Sequence, residues 1–139
     1  GYMFHHATSF NQDISNWDVS NVTNMSGMFY QARKFNQDLN KWNVSNVQHF
    51  NGMFRESSSF SSNISQWNVS KGTNMSFMFC RAKEFNQDLN QWNICNVENM
   101  TYMFYDASKF DSNNVNRWSL SNAPYSNHIF HGIKKIKVV

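Results

Sequence analysis

The chain is short of the usual materials of a globular core and of a chemical site. Leucine is nearly missing: Leu39, Leu89 and Leu120 are the only ones in 139 residues. Cysteine is confined to Cys80 and Cys95, at positions that equivalent segments fill with unrelated residues such as Tyr30 and Ser20. That pattern supports neither a disulfide framework nor a zinc site. No apolar run exceeds a few residues, which excludes a transmembrane helix, and the start lacks the basic-then-apolar order of a signal peptide. A basic stripe is missing too. Of 12 Lys and Arg against 9 Asp and Glu, Lys134, Lys135 and Lys137 lie in the last six residues, which leaves 9 against 9 elsewhere. The repeats are therefore neutral, and the net charge of +3 does not point to nucleic acid.

What the chain has instead is a fixed step of 25 residues. Met-Phe recurs at Met3-Phe4, Met28-Phe29, Met53-Phe54, Met78-Phe79 and Met103-Phe104, and one residue late as Ile129-Phe130. Phe10, Phe35, Phe60, Phe85 and Phe110 keep the same step, as do Trp17, Trp42, Trp67 and Trp92; an insertion near Asn114 moves the fifth Trp to Trp118. Such a period marks units too small to bury their own apolar faces, which must stack on one another. The length fits one domain of about five and a half units. Stacking turns each repeat position into a column, and the Trp and Phe columns are expected to form the core. The functional alternative for the Trp column is an exposed platform for sugar rings.

Within the unit beginning at Phe10, the apolar residues Val22, Met25, Met28, Phe29 and Ala32 follow spacings of three, three, one and three. That spacing predicts a short amphipathic helix from Asn21 to about Gln31, capped by Ser20-Asn21. Asn11 to Ile14 reads as a very short strand and the stretch through Val19 as a turn. The expected fold is thus an α/β solenoid, a leucine-rich-repeat-like array of very short parallel strands, turns and short helices. Residues 1–120 form the array, and Ser121 to Val139 read as a degenerate C-terminal cap with a last strand at Ile136 to Val139. Gly1 enters in mid-repeat, so the chain is expected to be a fragment of a longer array. Gly72, standing where Val22 has its counterpart, is expected to weaken the helix start of its repeat.

Polar columns are as regular. Asp13, Asp38, Asn63, Asp88 and Asn113 align, and stacked carboxylates repel, so this column should be exposed, share protons or bind cations. Its alternation with Asn and the lack of a glycine-rich loop argue against calcium. Asn21, Asn46, Asn96 and Asn122, with Lys71 as the exception, are expected to bond the backbone of their own and the next repeat. The seven glycosylation sequons, among them Asn21 and Asn24, arise from the repeat itself and carry little signal.

The unit F-N-Q-D-I-S-N-W-D-V-S-N-V-T-N-M-S-G-M-F-Y-Q-A, with its specific segment Asn21 to Phe29, resembles the BspA-like leucine-rich repeat surface proteins, a group also known as a mycoplasma-type domain of unknown function. Nearly the whole chain takes part. The resemblance implies a leucine-rich-repeat-like array, often displayed outside the cell, that binds proteins or glycans; similar arrays also occur in some protists and large DNA viruses. It transfers no catalytic residues. The residues themselves agree: His5, His6, His49, His128 and His131 assemble no triad, metal set or phosphate loop.

These observations lead to a non-enzymatic repeat protein without cofactor or metal, presenting an extended surface to a protein or glycan partner, with no membrane span in this segment. The expected setting is the cell surface or extracellular space, with an intracellular or virion setting as the alternative. Partner contacts should come from columns that vary between repeats. One is Asn16, Lys41, Gln66, Gln91 and Arg117; the other is Gln31, Glu56, Arg81 and Asp106. The competing reading is a structural spacer, or a virion component, with no ligand of its own.

Overall fold

The computed structural model describes residues 1–121 and 123–133. The expected strand Ile136 to Val139 and the Asn122 member of the asparagine column lie outside them. The repeats lie on one another in parallel, but the expected α/β solenoid of strands and helices is overturned. Among the described residues the only helical element is a single 3-10 turn, Ser112–Val115, which takes up the residue inserted near Asn114. Nor does Asn11 to Ile14 form a strand. Among the described residues parallel pairing is limited to single bridges joining Asn24, His49, Asn74, Asn99 and Tyr125 in turn.

Where a helix was expected, the backbone runs as overlapping turns. Met28, Tyr30 and Ala32 donate their N–H groups three residues back, to Met25, Gly27 and Phe29. The N–H groups between them leave the repeat: Met25, Gly27, Phe29 and Gln31 donate to the carbonyls of His49, Asn51, Met53 and Arg55 at 2.8–2.9 Å. An α-helix would direct every N–H four residues back along its own chain. Left-handed backbone also forbids it, with φ of 59° at Gly27 and 60° at Gln31, the third positions of two of these turns. The three-residue apolar spacing was therefore measuring turns. For the same reason Gly72 weakens no helix: its N–H still reaches the Val69 carbonyl at 2.8 Å, as Val22 reaches Val19.

The abundant Asn and Asp serve this turn-rich backbone. Side chains of Asp18, Asn43, Asn68 and Asn93 each accept the N–H two residues on, and Asn24, Asn74 and Asn99 do the same. These closures need no neighbouring secondary structure, which is why such residues crowd turns. Asp13, Asp38 and Asp88 are exposed and close turns in the same way. Bonds from Ser15, hydroxyl first and N–H second, hold the Asp13 carboxyl below the ordinary carboxylate range, and Ser20 does likewise for Asp18. In the neighbouring column Asn46 and Asn96 donate to the Ser20 and Ser70 carbonyls of the preceding repeat, and Lys71 donates to Asn46.

The core lies along one line through the stack. Two phenylalanine columns interlock, Phe54 stacking on Phe60 at 3.9 Å and on Phe79 of the next repeat at 5.7 Å. Phe29, Phe35, Phe60, Phe85 and Phe104 are completely or almost completely buried, as is Phe110, whereas Phe10 at the beginning is partly exposed. Trp42, Trp67 and Trp92 are 3–4% exposed, and each indole N–H donates to a backbone carbonyl one repeat back: Ile14, Leu39 and Ile64, at 2.9–3.0 Å. Trp118 repeats the bond to Leu89, half-buried, and Trp17 is 43% exposed. Each buried indole thus adds a polar tie between repeats to its apolar area.

Candidate binding surface

Opposite in character to the core is a strip of aromatic and cationic side chains that runs the length of the described stack. It is built from two repeat positions. One holds Tyr2, Gly27, Gly52, Phe77, Tyr102 and His128, all with φ between 56° and 63°. The other holds His5, Tyr30, Arg55, Cys80, Tyr105 and His131. Phe77 stacks on Tyr102 at 5.1 Å, Tyr102 on His128 at 5.0 Å, and Tyr105 on His131 at 5.1 Å. The Arg55 guanidinium bridges the two positions, 5.2 Å from the Tyr30 ring and 4.9 Å from the Phe77 ring. Most of these rings are half-buried to exposed, and Tyr2 is 57% exposed.

The backbone under the strip is costly. A bulky residue at positive φ is uncommon and costs about 1–2 kcal/mol relative to glycine, which takes the same conformation freely. Non-glycine residues persisting there mark places where the side chain earns its position by something other than local comfort. At the N-terminal end His5 stacks on Tyr30 at 4.7 Å and lies 3.8 Å from His6. Desolvation first, and the His6 charge second, hold its imidazole below the ordinary histidine value.

Beside the strip runs the second expected partner column, which the fold draws into a ladder. Gln31 donates to Glu56 at 2.8 Å, and Arg81 lies between Glu56 and Asp106 at 3.7 and 3.8 Å. These residues also hold left-handed backbone, with φ of 54–60°. Three of them, Glu56, Arg81 and Asp106, line a shallow groove of about 720 Å³ along the stack with Arg33, Ser58, Lys83 and Ser108. Exposed pairs at such distances add little stability, so the ladder shapes a charged rim. The first column, Asn16, Lys41, Gln66, Gln91 and Arg117, is exposed throughout. No contact joins its side chains into a comparable ladder.

Sequence reasoning missed the strip. The column of His5, Tyr30, Arg55, Cys80, Tyr105 and His131 reads in sequence as a solvated edge because its residues vary. The column of Phe77 and Tyr102 attracts no notice, because Gly27 and Gly52 interrupt it. One signal was present: two large aromatics and two glycines sharing a single column, an odd mixture unless the position has positive φ. Of the cysteines, Cys80 is buried, which pushes its thiol pKa up, and Cys95 is exposed; both are free. No group of three or more metal-ligating side chains occurs among the described residues.

Stacked turns, a ring-lined core and a long patterned side surface define a repeat protein whose units recognise one another before anything else. The chain belongs to the family described as "Mycoplasma protein of unknown function, DUF285", which it matches over residues 1–57 and 39–138. The match carries the mycoplasma-type repeat and does not extend to leucine-rich repeats. No match was found among curated proteins or solved structures. No helix among the described residues is long and apolar enough to cross a membrane.

Proposed function

We propose that this chain is a non-enzymatic binding module that offers its aromatic strip and charged rim to an extended protein or glycan, displayed at the cell surface or outside the cell. The observation that carries this reading is the strip itself: Phe77, Tyr102 and His128 form a half-open stack on backbone that glycine would occupy at lower cost. Aromatic residues that are not needed by the core, yet are kept in line, supply large rigid contact area with little entropy to lose on binding. The resemblance to BspA-like surface proteins supports the setting. A stiff spacer without a ligand is the second reading, favoured by the indole ties that join successive repeats.

The two readings separate with one double variant, Phe77→Ala with Tyr102→Ala. A binding module loses affinity for its glycan or protein partner at least tenfold while its thermal transition stays near that of the parent. A glycan array and a panel of purified extracellular-matrix proteins, probed with both forms, read the difference. Identical profiles for the two forms would leave the spacer reading standing.

A further inference from the structure

Between Tyr2 and Phe77 the strip opens into a slot over Gly52, and its chemistry is more specific than that of the strip. The Tyr2 ring lies across Gly27, where an added Cβ would meet it at 2.3 Å, so that position of the column is covered. At Gly52 an added Cβ would meet nothing within 4 Å. The slot, about 130 Å³, is lined by Tyr2, Tyr30, Phe77, Arg55, Asn51 and Ser76 along with the two glycines. That is close to the ~150 Å³ of a cavity known to admit benzene, so it takes one six-membered ring.

Its polar side is cationic. Arg55 spans the rings of Tyr30 and Phe77, and its Nε is buried without a hydrogen-bond partner. Arg55 is the one cation among the residues that line the slot, and a carboxylate is the acceptor that suits a guanidinium best. Asn51 uses its side-chain oxygen to accept from Ser26, which turns its amide donors to other use. Arg55 lies over the Tyr30 and Phe77 rings, whose other faces carry His5 and Tyr102, so the walls offer ring edges and the guanidinium itself; these suit a C–H-bearing ring that carries an anion. The neutral repeats make nucleic acid a poor candidate.

We infer that the Gly52 slot binds one acidic pyranose, a hexuronic acid unit of an extended glycan, with its ring packed against the edge of Phe77 and its carboxylate on Arg55. The inference rests on the binding-module reading and adds to it a ligand class, a position and a charge requirement. Phe77 and Tyr102 show that the fold accepts aromatic side chains at this repeat position, with φ of 57° and 56° against 63° at Gly52. A ring can therefore be built into the slot from the protein side.

The test is titration calorimetry of the whole chain with tetragalacturonate, and with its neutral methyl ester, on the parent, Gly52→Phe and Arg55→Gln. The acid should bind, the ester should bind at least tenfold more weakly, Gly52→Phe should abolish binding, and Arg55→Gln should weaken it about tenfold. Circular dichroism confirms folding; should Gly52→Phe misfold, Arg55→Gln carries the test. Equal affinity for acid and ester, unchanged affinity in a folded variant, or no binding of the acid at millimolar concentration would overturn the slot assignment. If Phe77→Ala with Tyr102→Ala then still lost a glycan-array or matrix-protein signal, the slot alone would fall. If that double variant lost nothing either, the binding-module reading would fall with it.

Discussion

Phe77 and Phe79 are two residues apart, chemically identical, and carry opposite duties. Phe79 is fully buried, stacked on Phe85 at 4.0 Å and on Phe104 of the next repeat at 5.5 Å. Phe77 stands partly buried on left-handed backbone, touching Tyr102 and the Arg55 guanidinium. The inner column keeps Phe in every repeat because a ring missing from a stack leaves a cavity against both neighbours. The outer column changes from repeat to repeat, with Gly at 27 and 52 and rings elsewhere. Uniformity within a column here reports packing, and variety at positive φ reports a surface free to specialise.

The contrast breaks most visibly in the core. Trp67→Ala should cost about 3–5 kcal/mol, a large share of a domain's total stability. Trp17→Ala, 43% exposed at the end of the stack, should cost less than about 1 kcal/mol. Urea midpoints of the two variants measure this, and equal midpoints would mean that the indole column is not the core. The subtler Trp67→Phe keeps most of the apolar area but leaves the Leu39 carbonyl without its indole donor; about 1–3 kcal/mol should go. Hydrogen exchange should then rise first in the repeats on either side of the substitution.

On the outer face the cost should nearly vanish. Phe77→Gly relieves about 1–2 kcal/mol of left-handed strain. It forfeits a ring contact and a cation–π contact of about 0.5–1.5 kcal/mol each. The net change in melting stability should stay within about 1 kcal/mol. Phe79→Gly, by comparison, should unfold its repeat. A large loss at Phe77 would mean that the strip is structural after all.

The smallest effect sharpens the N-terminal end. His5 titrates below the ordinary histidine value of 6.5, with desolvation the main cause and His6 the lesser one. Because the folded value lies below the unfolded one, the unfolded chain binds the proton more readily, and stability must fall as pH drops from about 6.5 through the folded value. Melting of the parent should therefore decline modestly across that window, and His5→Gln should flatten the decline. A profile that ignores the substitution would place the pH sensitivity elsewhere.

Much of the architecture was legible because translation by 25 residues is a property of the sequence. It places Trp42, Trp67 and Trp92 in one column, and the Phe pairs in two others, whatever the backbone does between them. The form of the backbone was not legible. Val22, Met25, Met28 and Phe29 have a spacing that helix and overlapping turns share, and the choice between them depends on where alternate N–H groups go. In this chain they go to the next repeat, a partner that no single unit contains. The candidate surface was hidden for the same reason. Columns named from sequence variation, such as Gln31, Glu56, Arg81 and Asp106, share a face and a ladder only once the repeats are stacked. The strip of Tyr2, Phe77, Tyr102 and His128 needs, in addition, the positive φ that stacking imposes. Sequence alone determined the period, the neutrality of the repeats and which side chains share a column. Tertiary structure alone decided the turns, the sign of φ and the open slot at Gly52, because inter-repeat hydrogen bonds set the backbone and the backbone aims the side chains.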